Sequence, residues 1–186
     1  MRKRQDKHGA KACLRTFIIL IAFWSATLTW GLVNAQSGRE SPEFKPGSEP
    51  DGFRGIKWGT DITKLKDLTP VMTIDNFTKR YKRDRDSLRM GEVKLSYIHY
   101  EFWKGIFYLV DIGFEGAENW NNLRSRMFAT FGKGQSQSEE ENQLSARYRW
   151  AGEKTTIIMI YDTGMGGGLT ISSTEITNQK AKEEKE

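Results

Sequence analysis

The residues able to do chemistry in this 186-residue chain are few and poorly grouped. His99 stands apart from the only other histidine, His8, which lies in a basic leader. A general base or metal ligand needs a partner, and His99 sits in an apolar run between Tyr97 and Glu101, where a lone histidine reads as a hydrogen-bonded core residue. One histidine cannot assemble a zinc site, and Cys13, the only cysteine, precedes the folded region, so no metal is expected. Two carboxylate groupings exist, Asp84 with Asp86 and Glu139 to Glu141. Acid–base catalysis needs two carboxylates in different environments, whereas these lie among arginines or serines and read as solvated loop charges. The glycine run Gly164 to Gly168 lacks the lysine and the helix that follow a phosphate-cradling loop. No serine occupies a glycine-flanked elbow. The sequence therefore nominates no catalytic residue and no cofactor.

Two groupings suited to binding remain. Lys79, Arg80, Lys82, Arg83 and Arg85 make a basic run offset by Asp84 and Asp86. Such a run is a candidate patch for anionic headgroups or cell-wall polymers, or else an edge strand protected by charge. The second grouping comes from a hairpin, Val93 to Trp103 and Ile106 to Glu115, around a Lys104-Gly105 turn. Counting outward from Trp103 opposite Ile106 puts Tyr97, His99 and Glu101 on the core face with Tyr108, Val110 and Ile112. The opposite face is polar at Lys94, Ser96 and Asp111. Near the turn it carries Tyr100, Phe102, Phe107 and Leu109, four apolar side chains that need a covering element or a partner.

The elements holding these residues follow from periodicity. Phe53 to Trp58 reads as a short strand, and Thr60-Asp61 caps a short helix with Ile62, Leu65 and Leu68 on one face, ended by Pro70. Val71 to Phe77 and Lys79 to Arg85 are weaker strand candidates. Ala117 to Phe131 carries a helical stripe of Trp120, Leu123, Met127 and Phe128 that Gly132 terminates. Ala146, Tyr148 and Trp150 alternate with arginines in a strand, Thr155 to Tyr161 is β-branched, and Leu169 to Ile176 is the last strand. These predict an α+β fold, an antiparallel sheet of five to seven strands with two helices packed on it. It forms a single domain over 53–177, preceded by a flexible tether over 36–52 and followed by a charged tail over 178–186.

Six basic residues against Asp6 within the first fifteen positions account for the whole formal charge of +5, so the rest of the chain is balanced and nucleic acid is not an expected partner. Thr16 to Val33 is an uncharged apolar run, followed by Asn34 and Ala35. This is the pattern of a secretory signal peptide over 1–35, cleaved after Ala35, which predicts a periplasmic or secreted protein. The alternative is an inner-membrane anchor formed by residues 16–33. The cleaved chain would be free of cysteine.

The strings FRGIKWGTDI from Phe53, GEVKLSYIHYEFWKGIFYLVDIGFEG from Gly91, the helix ending MFATFGKG, and RYRWAGEKTTIIMIYD from Arg147 resemble a family of small exported bacterial proteins of unassigned function. The resemblance spans most of Phe53 to Ile176. It implies fold and compartment and carries no catalytic residue. The expected function is a non-enzymatic interaction or binding protein of the periplasm, with a protein or envelope component as its partner. An envelope-polymer hydrolase using carboxylates and a small-ligand carrier using the aromatic sheet face are the alternatives. Membrane contact is expected only through an uncleaved leader.

Overall fold

Short apolar–polar alternations separated by turns build most of the chain into hairpins. The computed structural model describes residues 44–137 and 145–185; the expected signal peptide with its cleavage site, the alternative anchor and the carboxylates Glu139 to Glu141 lie outside the described residues. In chain order, β1 (Gly52–Phe53) and β2 (Ile56–Lys57) form a small hairpin, and a 3-10 turn (Ile62–Lys64) follows. Next come β3 (Leu68–Thr73) and β4 (Thr78–Arg83), a second small hairpin of β5 (Arg89–Met90) and β6 (Val93–Lys94), and then β7 (Tyr97–Trp103) and β8 (Ile106–Phe114). Helix α1 (Ala117–Phe131) leads to β9 (Gln135–Ser136), β10 (Ser145–Ala151), β11 (Thr155–Asp162) and β12 (Gly166–Ser173), and α2 (Thr174–Glu183) closes the chain.

Eight of these strands make one antiparallel sheet in the order β3-β4-β7-β8-β12-β11-β10-β9. Because β12 returns to pair with β8, the last strand lies at the centre of the sheet beside the end of the first half. One face is the core. Ile98, Tyr100 and Phe102 of β7, Phe107, Val110, Ile112 and Phe114 of β8, and Leu169, Met159 and Tyr148 from the second half are all buried there. Helix α1 covers one end of this face with Trp120, Leu123 and Met127. Burial of each is worth about 1.5–3 kcal/mol. The Trp120 ring lies 5.1 Å from that of Tyr161 and 6.0 Å from that of Tyr148. The other end is covered from the N-terminal side, with Phe53 against Tyr100 and Trp58 against Phe107 at 4.9 Å.

The α+β class and the antiparallel sheet agree with the expectation, while the sheet has eight strands, more than the five to seven expected. The residues read as a first helix give one 3-10 turn capped by Asp61, and Leu68 and Pro70 enter edge strand β3. Pro70 is tolerated because an edge strand can spare a donor, and a pairing irregularity follows it at Val71. Phe53 to Trp58 is not one strand, because Arg54 and Gly55 adopt positive φ and fold it into a hairpin. The charged tail expected from Asn178 continues α2, whose N-terminus is capped by the Ser173 hydroxyl accepting from the Ile176 amide.

From Phe44 onward the tether expected over 36–52 is a strap laid on the domain. The Phe44 ring meets Phe131 edge-on at 5.5 Å. The Lys45 amide donates to the Phe131 carbonyl at 2.8 Å. One carboxylate oxygen of Glu49 accepts from the amides of Lys154 and Thr155 at 2.6 and 2.8 Å, so it anchors the turn between β10 and β11. Composition alone favours a tether, because three prolines and little apolar surface hide the fact that Phe44 and Glu49 each find a partner more than eighty residues away.

Candidate functional site: a charged and aromatic network on the open sheet face

The hairpin turn falls at Lys104-Gly105, with both residues at positive φ as a two-residue turn requires, and Trp103 pairs with Ile106. The register then slips. Phe102 pairs with Phe107 but Glu101 pairs with Leu109, which leaves Tyr108 as the extra residue of a β-bulge. One inserted residue exchanges the faces of everything beyond it on one strand. Tyr100 and Phe102 therefore turn into the core with Phe107, at 0–1 % exposure, and are not the partner surface expected of them. The Tyr100 hydroxyl donates to Asp86 at 2.6 Å, and burial, then this carboxylate, push its pKa well above the usual range. Leu109 parts from the other three and lies half-buried opposite Glu101 on the other face.

The same slip brings Tyr97, His99 and Glu101 onto the face that α1 leaves uncovered. There they meet Asp111, the cross-strand neighbour of His99, and Arg80, the neighbour of Glu101 on β4. Glu101 is 5 % exposed and fully engaged. One of its oxygens accepts from Nε and Nη2 of Arg80 at 2.9 and 2.5 Å, and the other accepts from the Tyr108 hydroxyl at 3.0 Å. Burial opposes the Arg80 charge, but the hydrogen bond and charge of Glu101, aided by Asp111 at 3.8 Å, outweigh it and raise its pKa. Burial, then the Glu101 charge, raises the Tyr108 pKa.

Tyr97 lies flat across Gly113 of β8, where an added Cβ would stand 2.2 Å from its ring. Its other side stacks on His99, with centroids 4.5 Å apart and planes 20° from parallel. Burial first, and then the nearby Arg80 charge, lower the His99 pKa against the opposing pull of Asp111 and Glu101. These effects favour the neutral ring, and its Nδ1 is shielded from solvent with no hydrogen-bond partner among the described residues. Across the same face the row continues from Asp111 through Thr170 and Ile158 to Arg149. The neighbouring row runs from Tyr97 through Gly113 and Gly168 to Ile160, which is 47 % exposed.

The expected basic patch does not form as one surface. Alternation along β4 turns Arg80 to the open face, where Glu101 takes it. Arg83 turns the other way to Asp67 at 2.8 Å and to the Arg54 carbonyl. Lys79 and Lys82 are exposed on opposite faces, and Arg85 sits exposed at a positive-φ turn. Of the expected site residues, only Arg80 belongs to the network. His99 was expected in the core with Tyr97, and its place on the open face is the consequence of the bulge. A signal for the true face existed: Ile98, Tyr100 and Phe102 are together more apolar than Tyr97, His99 and Glu101.

Among the described residues no group of three or more histidine, cysteine or acidic side chains is placed to hold a metal ion. No helix among them is long and apolar enough to cross a membrane. The chain matches no family model, no curated protein and no solved structure.

Proposed function

We propose that the protein is an exported, non-enzymatic binding protein that recognises an envelope component or an envelope protein with the open face of its sheet. The observation that supports this most is the Arg80–Glu101–Tyr108 triad, with Asp111, His99 and Tyr97 around it. It is a set of polar groups held by three neighbouring strands on the face opposite α1. Helix α2 closes over one end of this face, where Lys180 bonds Thr78 and Thr174 meets Thr156, and leaves Tyr97 exposed and His99, Arg80 and Asp111 only partly buried beyond it. Rigid strands pre-organise recognition groups and reduce the entropy lost on binding. The hydrolase reading draws on the two carboxylates, Glu101 and Asp111. One arginine serves both, which offsets the like-charge repulsion that an acid–base pair exploits. The carrier reading loses its pocket wall, because Tyr100 and Phe107 are sealed under Phe53 and Trp58. The resemblance to small exported bacterial proteins supports the compartment in this proposal.

A photo-crosslinking amino acid placed at Ile160 or Thr170, and at Met165 as an exposed control, tests the reading in exporting cells. Adducts from Ile160 and Thr170 with one common partner are expected, and Met165 should give none. Adducts from Met165 alone would overturn it. Export is checked by mass spectrometry, which should find a chain beginning at Gln36. Turnover of an envelope polymer that Asp111→Asn abolishes without loss of stability would establish the hydrolase instead.

A further inference from the structure

We propose that one end of the sheet is a docking surface for an anionic lipid bilayer. Three turns meet there. The loop after β3 carries Ile74 and Phe77, 42 % and 60 % exposed. The Lys104-Gly105 turn lies beside it, with the Lys104 amide donating to the Phe77 carbonyl at 2.7 Å and the Lys104 ammonium 5.5 Å from the centre of the Phe77 ring. The 3-10 turn is tied to the same place by the Ile62 amide, which donates to the Gly105 carbonyl at 2.9 Å. These turns supply three lysines, Lys64 and Lys104 on the turns and Lys79 one residue into β4, all exposed around the apolar tip. A cavity of about 290 Å³ opens between them, lined by Phe77, Tyr81 and Phe102 together with Lys79 and Lys104.

Large apolar side chains at a loop tip, with cations at their base, match the layering of a membrane surface. The tip enters the acyl boundary while the Lys64 and Lys79 ammonium groups meet lipid phosphates. The acidic groups at this end are occupied within the protein. Asp75 accepts from Lys180 at 2.8 Å, and that hydrogen bond, despite some burial, holds its carboxyl well below the usual range. Glu183 pairs with Lys104 and Glu184 with Lys180, while Asp61 accepts from the amide and hydroxyl of Thr63, so Lys64 and Lys79 are the cations of this end that face the lipid. The anionic bilayer is favoured over an acidic protein because the most exposed large apolar side chain of the three turns is the Phe77 ring, which has nothing to gain from a carboxylate surface. This surface is separate from the open sheet face and lies at the opposite end of the sheet from the Met165 turn.

The test uses the full chain with Cys13→Ser and a nitroxide attached through Phe77→Cys or, as the control, Met165→Cys. On phosphatidylcholine vesicles containing phosphatidylglycerol, the label at 77 should become accessible to dissolved oxygen and protected from a water-soluble nickel complex. The label at 165 should stay aqueous. Each lysine near an anionic surface is worth roughly fivefold in partitioning, so Lys64→Glu with Lys79→Glu should weaken immersion of the label at 77 by at least about tenfold. Ile74→Ser tests the apolar contribution separately and should also weaken it. If the chain sediments with vesicles while the label at 77 stays aqueous, the leader alone holds the membrane and the proposal is overturned. Immobilisation of the label by polyglutamate and not by vesicles would likewise overturn it, in favour of an acidic protein partner.

Discussion

Gly113→Ala should reverse its sign when Tyr97 is removed. The substitution places a methyl group where the Tyr97 ring already lies, 2.2 Å from its nearest ring atom, so the ring must leave Gly113 and with it the stack on His99. Overpacking of this kind costs about 1–3 kcal/mol. Against that, alanine in a strand interior is favoured over glycine by roughly 0.5–1 kcal/mol, because the unfolded chain has less freedom to lose. The single variant should therefore be less stable than the wild type by about 0.5–2 kcal/mol. In a Tyr97→Ala background nothing stands in the way of the methyl group. There the same substitution should stabilise by about 0.5–1 kcal/mol, a coupling of roughly 1–3 kcal/mol between the two sites. Denaturant unfolding of the four proteins in the cycle measures both quantities. Nuclear magnetic resonance of His99 provides a second readout, since displacing the ring hydrates the imidazole and should bring its lowered pKa back towards the ordinary 6.5. An equal effect of Gly113→Ala in both backgrounds would show that the glycine is needed for some other reason and that Tyr97 does not cover it.

Three further outcomes are expected. Burial, then the Arg80 charge, depresses the His99 pKa, so the unfolded chain binds the proton more readily; the stability linked to the neutral ring is complete above about pH 6.5 and is lost as pH falls towards the folded-state value. His99→Gln should abolish that part of the slope between pH 7.5 and 5, and an unchanged slope in thermal melts would refute it. Leu95→Asp buries a charge at a 7 % exposed position and should cost more than about 3 kcal/mol, whereas Ser96→Asp on the exposed side should change stability by less than about 0.5 kcal/mol; equal losses would show that the two side chains are not divided between core and solvent. Glu49→Ala leaves the Lys154 and Thr155 amides without their acceptor and should destabilise by about 1–3 kcal/mol, read by denaturant unfolding; no loss would mean that the strap adds nothing to the domain.

What local pattern controls was legible along the chain. The α1 stripe, its glycine stop, the two-residue turn at Lys104-Gly105 and the β-branched strand β11 all depend on residues within a few positions of one another, and each stands where the periodicity puts it. The candidate site was legible only in the apolar bias of Ile98, Tyr100 and Phe102, and the rest was hidden for a reason equally specific. Its membership depends on which residues of β7 and β8 face the same way, and a single unpaired residue, Tyr108, inverts that assignment between the turn and the middle of the hairpin. Nothing in the two strands announces the bulge, because both Tyr108 and Leu109 are acceptable on either face. The tether and the tail were misjudged in the same way. Polar composition describes what a segment would do if nothing touched it, while Glu49 and Lys180 are held by backbone and side-chain partners about a hundred residues distant, on strands and turns whose positions exist only after the chain has folded.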